Sequence, residues 1–191
     1  NVWPATVYLY DFSIKLSKIV KFISIFAWPF DWHIRNGNRE KNNYKQRSDD
    51  GWNQELISEG KIVNITAKGH SMNPFIRHLR DQIAIGPWED SQLKKGTAVL
   101  ALTSSGSYVF HRIIKRDGNI LTLAGDGNIY QTETTTTKDV IGILYSVIRK
   151  GRIYSSEGFM WKAYSQLWML LRPVRRYPLG LWRRLNPQEP L

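Results

Sequence analysis

The sequence predicts a mainly β domain, a coiled sheet or barrel, with a short N-terminal helix and a C-terminal helical extension. Three observations carry that prediction. From Lys61 onward the pattern has a period of two, which sends alternate side chains to opposite faces of a strand. Runs of this kind recur at spacings of ten to fifteen residues between turn signals, as in all-β domains. Between residues 157 and 185 the apolar residues return to a helical spacing.

Residues 1–50 are read as an N-terminal extension and linker of unassigned role, because the chain opens on Asn1 and its first methionine is Met72. Within this segment residues 11–30 are apolar but interrupted by Lys15, Lys18 and Lys21, which a helix would gather on one face. The longest uncharged run, Phe22 to Phe30, falls well short of the roughly 20 residues a spanning helix needs. An interfacial amphipathic helix fits, and so does a helix packed on its own domain. Residues 35–51 are polar and Asn-rich, a linker pattern. Asn53–Gly60 reads as a short helix closed by Gly60.

The β domain is placed over 51–150. After the alternation that starts at Lys61, strand runs fall at Gln82–Gly86, Thr97–Leu102, Tyr108–Lys115, Ile120–Ala124 and Val140–Arg149. Asp117-Gly118-Asn119 is a hairpin turn between two of them. Thr134–Thr137 reads as a low-complexity tract. Residues 151–191 form a basic, Trp/Arg-rich helical tail. There Phe159, Met160, Ala163, Leu167, Leu170 and Leu171 line one stripe, and Pro173 and Pro178 break it.

Apolar residues make up 42% of the chain and charged residues 23%, which excludes disorder and a multi-span membrane protein. The absence of cysteine excludes disulfides, thiolate catalysis and Cys-ligated zinc. The net charge of +11 is uneven: residues 151–191 carry seven Lys/Arg against two Asp/Glu, and residues 51–150 twelve against nine. Anionic partners are therefore expected at the ends of the chain.

Three segments bear groups suited to catalysis. In Gly69-His70-Ser71-Met72-Asn73-Pro74, Gly69 allows close approach of a substrate to a serine and Pro74 stiffens the exit. His70 flanks the nucleophile, and Met72 could line a substrate cleft. In Tyr108–Ile114, His111 lies mid-strand and shares a face with Val109 and Ile113. An imidazole, ordinarily titrating near ~6.5, can take a serine proton at neutral pH. In Gly125-Asp126-Gly127-Asn128 a carboxylate at a strand end could orient that imidazole. Taken singly, each has an ordinary reading: a loop, a partly buried structural histidine, an Asp-Gly turn.

Their order is what distinguishes them. GHSMNPFI, RDQIAI, LKKGTAVLAL, YVFHRIIKRDGNILTLAGDGN and KDVIG resemble, in sequence order, the boxes of the signal peptidase/LexA-type serine peptidases, over about residues 60–150. The resemblance implies a coiled-β peptidase domain with Ser71 as nucleophile and His111 as base. Most bacterial members have lysine at the base position; histidine is similar to the endoplasmic-reticulum and archaeal-type signal peptidases, where an Asp in a Gly-Asp-Asn-like box assists. That box corresponds to Asp126, and Gly96 and Asp81 fall at structural turns. The switch is physically coherent. A lysine, ordinarily near ~10.4, must be desolvated to act as a base, whereas a histidine gains from a carboxylate that fixes its tautomer. Gly69 brings no hydroxyl, so the oxyanion would rest on backbone N–H groups, chiefly that of Ser71.

The expected activity is a signal peptidase-like serine endopeptidase acting on a peptide or preprotein. The alternatives are a catalytically inactive peptide-binding module of the same fold and a self-cleaving LexA-like regulator. No cofactor is expected. His70, His78 and His111 lack the spacing of a metal site, so none is expected either. The tail fits a helix packed on the β domain, a membrane surface met by Trp and Arg, or, less well, nucleic acid. A cytoplasmic location or peripheral membrane attachment follows from these readings.

Overall fold

The computed structural model describes residues 54–186. The extension and linker expected over 1–50, with their amphipathic stretch, lie outside the described residues, as do residues 187–191. The fold is mainly β, as the sequence predicts. Eight strands form one sheet curled into a half-barrel, with a small helix before it and two helices after it.

In chain order the elements are α1 (Gln54–Ser58), β1 (Val63–Thr66), β2 (Asp81–Gly86), β3 (Ala98–Leu102), β4 (Tyr108–Asp117), β5 (Ile120–Ala124), β6 (Glu133–Thr136), β7 (Val140–Arg149), β8 (Arg152–Ser155), α2 (Phe159–Leu170) and α3 (Arg176–Leu185). The strand order is β1-β2-β7-β3-β4-β5-β6, and β8 pairs with β7 off that path. All pairings are antiparallel. β7 is the spine: β2 runs along one edge, while β3 and β8 share the other. Two strands depart from the sequence reading. β6 forms within the threonine-rich tract, where β-branched side chains suit a strand. β8 lies inside the segment read as a helical tail.

The pleat sorts the core. On β3, Ala98 and Leu100 join one buried cluster, and Val99 and Ala101 join the other. The first cluster contains Trp161, Tyr164 and Trp168 of α2 and Leu179 of α3. The two C-terminal helices therefore share a core with the sheet. The second cluster includes Ile113, Leu121, Leu123 and Ile143.

Asp81 is not a turn residue. It is the first residue of β2 and fully buried. It accepts hydrogen bonds from the guanidinium groups of Arg80 and Arg149 and from the Arg77 backbone N–H. Arg80 and Arg149 also donate to the Phe75 carbonyl, so the network clamps the segment just after Ser71. Burial alone would raise the Asp81 carboxyl; hydrogen bonds and charge from the two arginines outweigh it and lower its pKa. A lowered folded value means that this contribution is complete above the ordinary value of 3.8 and is lost as pH falls through the depressed one. Asp81→Asn should cost about 3–5 kcal/mol near neutral pH, since it strands two arginines. Urea unfolding checks this, and the gap to wild type should narrow in acid as Asp81 itself is protonated.

Candidate active site

β4 places His111 and Arg112 side by side in sequence and on opposite faces of the sheet. His111 lies opposite Val99, on the face of Val109 and Ile113, and is 4% exposed. Its Nδ1 is 2.9 Å from Oε2 of Glu133, the first residue of β6. The register explains the meeting. Leu123 pairs with both Ile113 and Glu133, so Glu133 shares the face of His111.

The structure does not bring Asp126 to His111, as the sequence reading expected. Asp126 reaches the other face and takes a two-pronged bond from Arg112, Nε to Oδ1 at 2.9 Å and Nη2 to Oδ2 at 2.7 Å. The Tyr164 hydroxyl also donates to Oδ2, and Trp168 Nε1 donates to the Asp126 carbonyl. Arg112 spends its remaining donors on the Gly96 carbonyl and Ser165 Oγ, with its guanidinium over the Trp161 and Tyr164 rings. Burial alone would lower the Arg112 pKa; the Asp126 charge and hydrogen bonds outweigh it and raise it. Burial, then the Asp126 charge, push the Tyr164 phenol well above its ordinary value, which keeps it a donor.

Ser71 sits in the turn after β1 and is half-buried. The turn is held from several sides. Gly69 N–H donates to His78 Nδ1 at 2.8 Å, and the His70 and His78 rings lie 5.2 Å apart. Met72 does not line a cleft; it is buried in the core with Phe75 and Ile76 and anchors the turn from below. Pro74 is buried beside it. Gly127 N–H donates to the Ser71 carbonyl at 2.7 Å. That contact joins the loop after β5 to the serine turn.

Two glycines make the approach feasible. A Cβ on Gly125 would run into the Ser71 carbonyl and lie 3.0 Å from His111 Nε2. A Cβ on Gly127 would lie 2.5 Å from the His70 carbonyl. So Gly125 marks where the Ser71 backbone and the free nitrogen of His111 converge. Neither the Ser71 hydroxyl nor its N–H is hydrogen-bonded to another described residue.

Among the described residues no group of three His, Asp or Glu side chains could hold a metal ion. No described helix is long and apolar enough to cross a membrane. Models of known protein families give no match to the chain, and neither do curated protein sequences.

The two carboxylates should separate by experiment. Asp126→Ala leaves Arg112 charged and buried, and should cost about 3–5 kcal/mol of stability. Glu133→Ala leaves the buried His111 Nδ1 without its partner but strands no permanent charge, and should cost less, about 1–3 kcal/mol. Urea titrations of both variants would read the difference; equal losses would contradict it.

Proposed function

We propose that the chain is a serine endopeptidase in which Ser71 is the nucleophile, His111 the general base and Glu133 the carboxylate that positions the imidazole. One observation carries the reading: His111 is held at Nδ1 by Glu133 and turns Nε2 towards Gly125, where the Ser71 backbone also arrives. That is the order of groups a serine hydrolase needs, nucleophile, base, orienting carboxylate, recognised by geometry and not by sequence position. The ordered boxes around Ser71 and His111, similar to those of the signal peptidase/LexA-type enzymes, point the same way.

In this mechanism His111 Nε2 takes the Ser71 hydroxyl proton as Oγ bonds to the scissile carbonyl carbon. The Ser71 N–H stabilises the resulting oxyanion. Collapse breaks the C–N bond, and His111 passes its proton to the leaving amine. A water molecule, deprotonated by His111, then attacks the acyl group and Ser71 Oγ leaves with the proton returned. Glu133 stays ionised and keeps the imidazole in one tautomer throughout. The edge at β1 suits a peptide: β1 leads towards Ser71 and pairs with only one described strand, whereas the turn after β3 already bonds β6 at Thr134. An extended substrate would add along such an edge, with backbone pairing giving affinity.

A peptide-binding module without turnover is the second reading, favoured by the Ser71 hydroxyl not being bonded to His111. Such bonds often close only with substrate in place.

A peptide library with a fluorophosphonate probe decides between them. Ser71→Ala and His111→Ala should each abolish cleavage, and the probe should label Ser71. Glu133→Gln should lower kcat by roughly 10²–10⁴-fold with little change in KM, the signature of a positioning residue. Full cleavage by Ser71→Ala would sink the peptidase reading; saturable binding without any turnover in wild type would favour the module.

A further inference from the structure

Helices α2 and α3 have two unlike sides. Their inner side holds the loop after β5. Trp168, Arg183 and Arg175 donate to the carbonyls of Asp126, Gly127 and Asn128 in turn. Each of these three consecutive carbonyls is thus met by a helix side chain.

The outer side is apolar and basic. Phe159 is 81% exposed, Leu170 76% and Leu185 66%, with Val174, Tyr177 and Leu181 exposed between them. From Gly158 to Asn186 the sequence holds six Lys/Arg and no Asp/Glu. Glu157, just before α2, is neutralised by Lys162 at 2.6 Å. Among the described residues no carboxylate pairs with Arg172, Arg176, Arg183 or Arg184. The helical turn splits the two arginine doublets. Arg175 is buried against the loop while Arg176 faces out, and Arg183 bends to Gly127 while Arg184 stays exposed.

Arg176 donates to the Tyr177 hydroxyl and lies over its ring, which leaves its charge without a described counter-ion. A face of large apolar side chains interleaved with arginines that no described carboxylate neutralises fits one environment well. The apolar groups enter the boundary between headgroups and acyl chains, and the arginines meet anionic headgroups. We propose that the outer face of α2 and α3 docks on an anionic lipid bilayer. Water alone would leave this much apolar surface exposed, and a neutral bilayer would leave the arginines uncompensated. Since the inner side of the same helices grips the loop beside Ser71, docking holds the serine turn close to the lipid surface. The proposal does not depend on the peptidase reading, because binding needs neither Ser71 nor His111.

The full chain would be sedimented with vesicles of phosphatidylcholine alone, and of phosphatidylcholine mixed with phosphatidylglycerol. It should pellet with the mixed vesicles only, and salt should release it. Arg176→Glu with Arg184→Glu should weaken binding at least about tenfold. Leu170→Ser with Leu185→Ser should weaken it with the charge unchanged. All four side chains are exposed, and an unaltered thermal midpoint would show the fold intact. No pelleting of wild type would overturn the proposal. So would pelleting of both double variants as complete as that of wild type, which would assign binding to another part of the chain. Retention of a single-stranded oligonucleotide in place of vesicles, lost in the charge-reversed variant, would give the face to nucleic acid and overturn it too.

Discussion

Arg112 and Asp126 face each other almost out of reach of water where the sheet meets its helices. Each charge, moved there alone, would cost several kcal/mol. Together they are compensated by two mutual hydrogen bonds and by three further partners from two places: the Gly96 carbonyl in the turn before β3, and Tyr164 and Ser165 on α2. That sharing makes the pair a constraint on everything around it. The loop cannot shift without breaking the bond to Arg112, and α2 cannot swing away without leaving the pair short of donors. The serine turn inherits the constraint, because Gly127 of that loop holds the Ser71 carbonyl.

The pleat of β4 then dictates the division of labour. Neighbouring residues on a strand face opposite ways, so one carboxylate cannot serve both His111 and Arg112. Asp126 is committed to the guanidinium on the helix side. The imidazole on the other face takes its carboxylate from β6. The arrangement draws the two ends of the curled sheet together at one point, with Ser71 beyond edge strand β1 and Glu133 opening edge strand β6. Curling, which follows from strand twist, is thus what turns two remote edges into one site.

Much of this was legible in the sequence. Alternation marked β1, strand-like runs marked β2 to β5 and β7, the Asp-Gly-Asn turn marked the β4–β5 hairpin, and helical spacing marked α2, whereas Pro178, read as a break, lies inside α3. The positions of Ser71 in a turn and His111 on a strand also followed, as did the shared face of Val109, His111 and Ile113. What escaped was register between distant strands. Four successive threonines gave no alternation of polarity, so β6 went unseen, and with it Glu133. Asp126 was legible as a carboxylate at a strand end, but only the register and the helices show which face it serves. Met72 misled for a simpler reason: an apolar residue beside a nucleophile fits a cleft wall and a core anchor equally well, and its burial selects the anchor.

The arginine doublets show how little sequence is needed to give the helices two roles. A helix turns about 100° per residue, so two adjacent arginines cannot both face the same way. In each doublet the first residue satisfies a carbonyl of the loop beside Ser71, and the second is left at the surface. Arg175 lies deep enough that burial lowers its pKa, and the nearby Asp126 charge only partly offsets this. Arg175 is therefore tied to the same buried charge that orders the core, while Arg183 reaches only the Gly127 carbonyl. The outward ones carry no such obligation, and their position on the exposed apolar side is left to be explained by whatever meets that side.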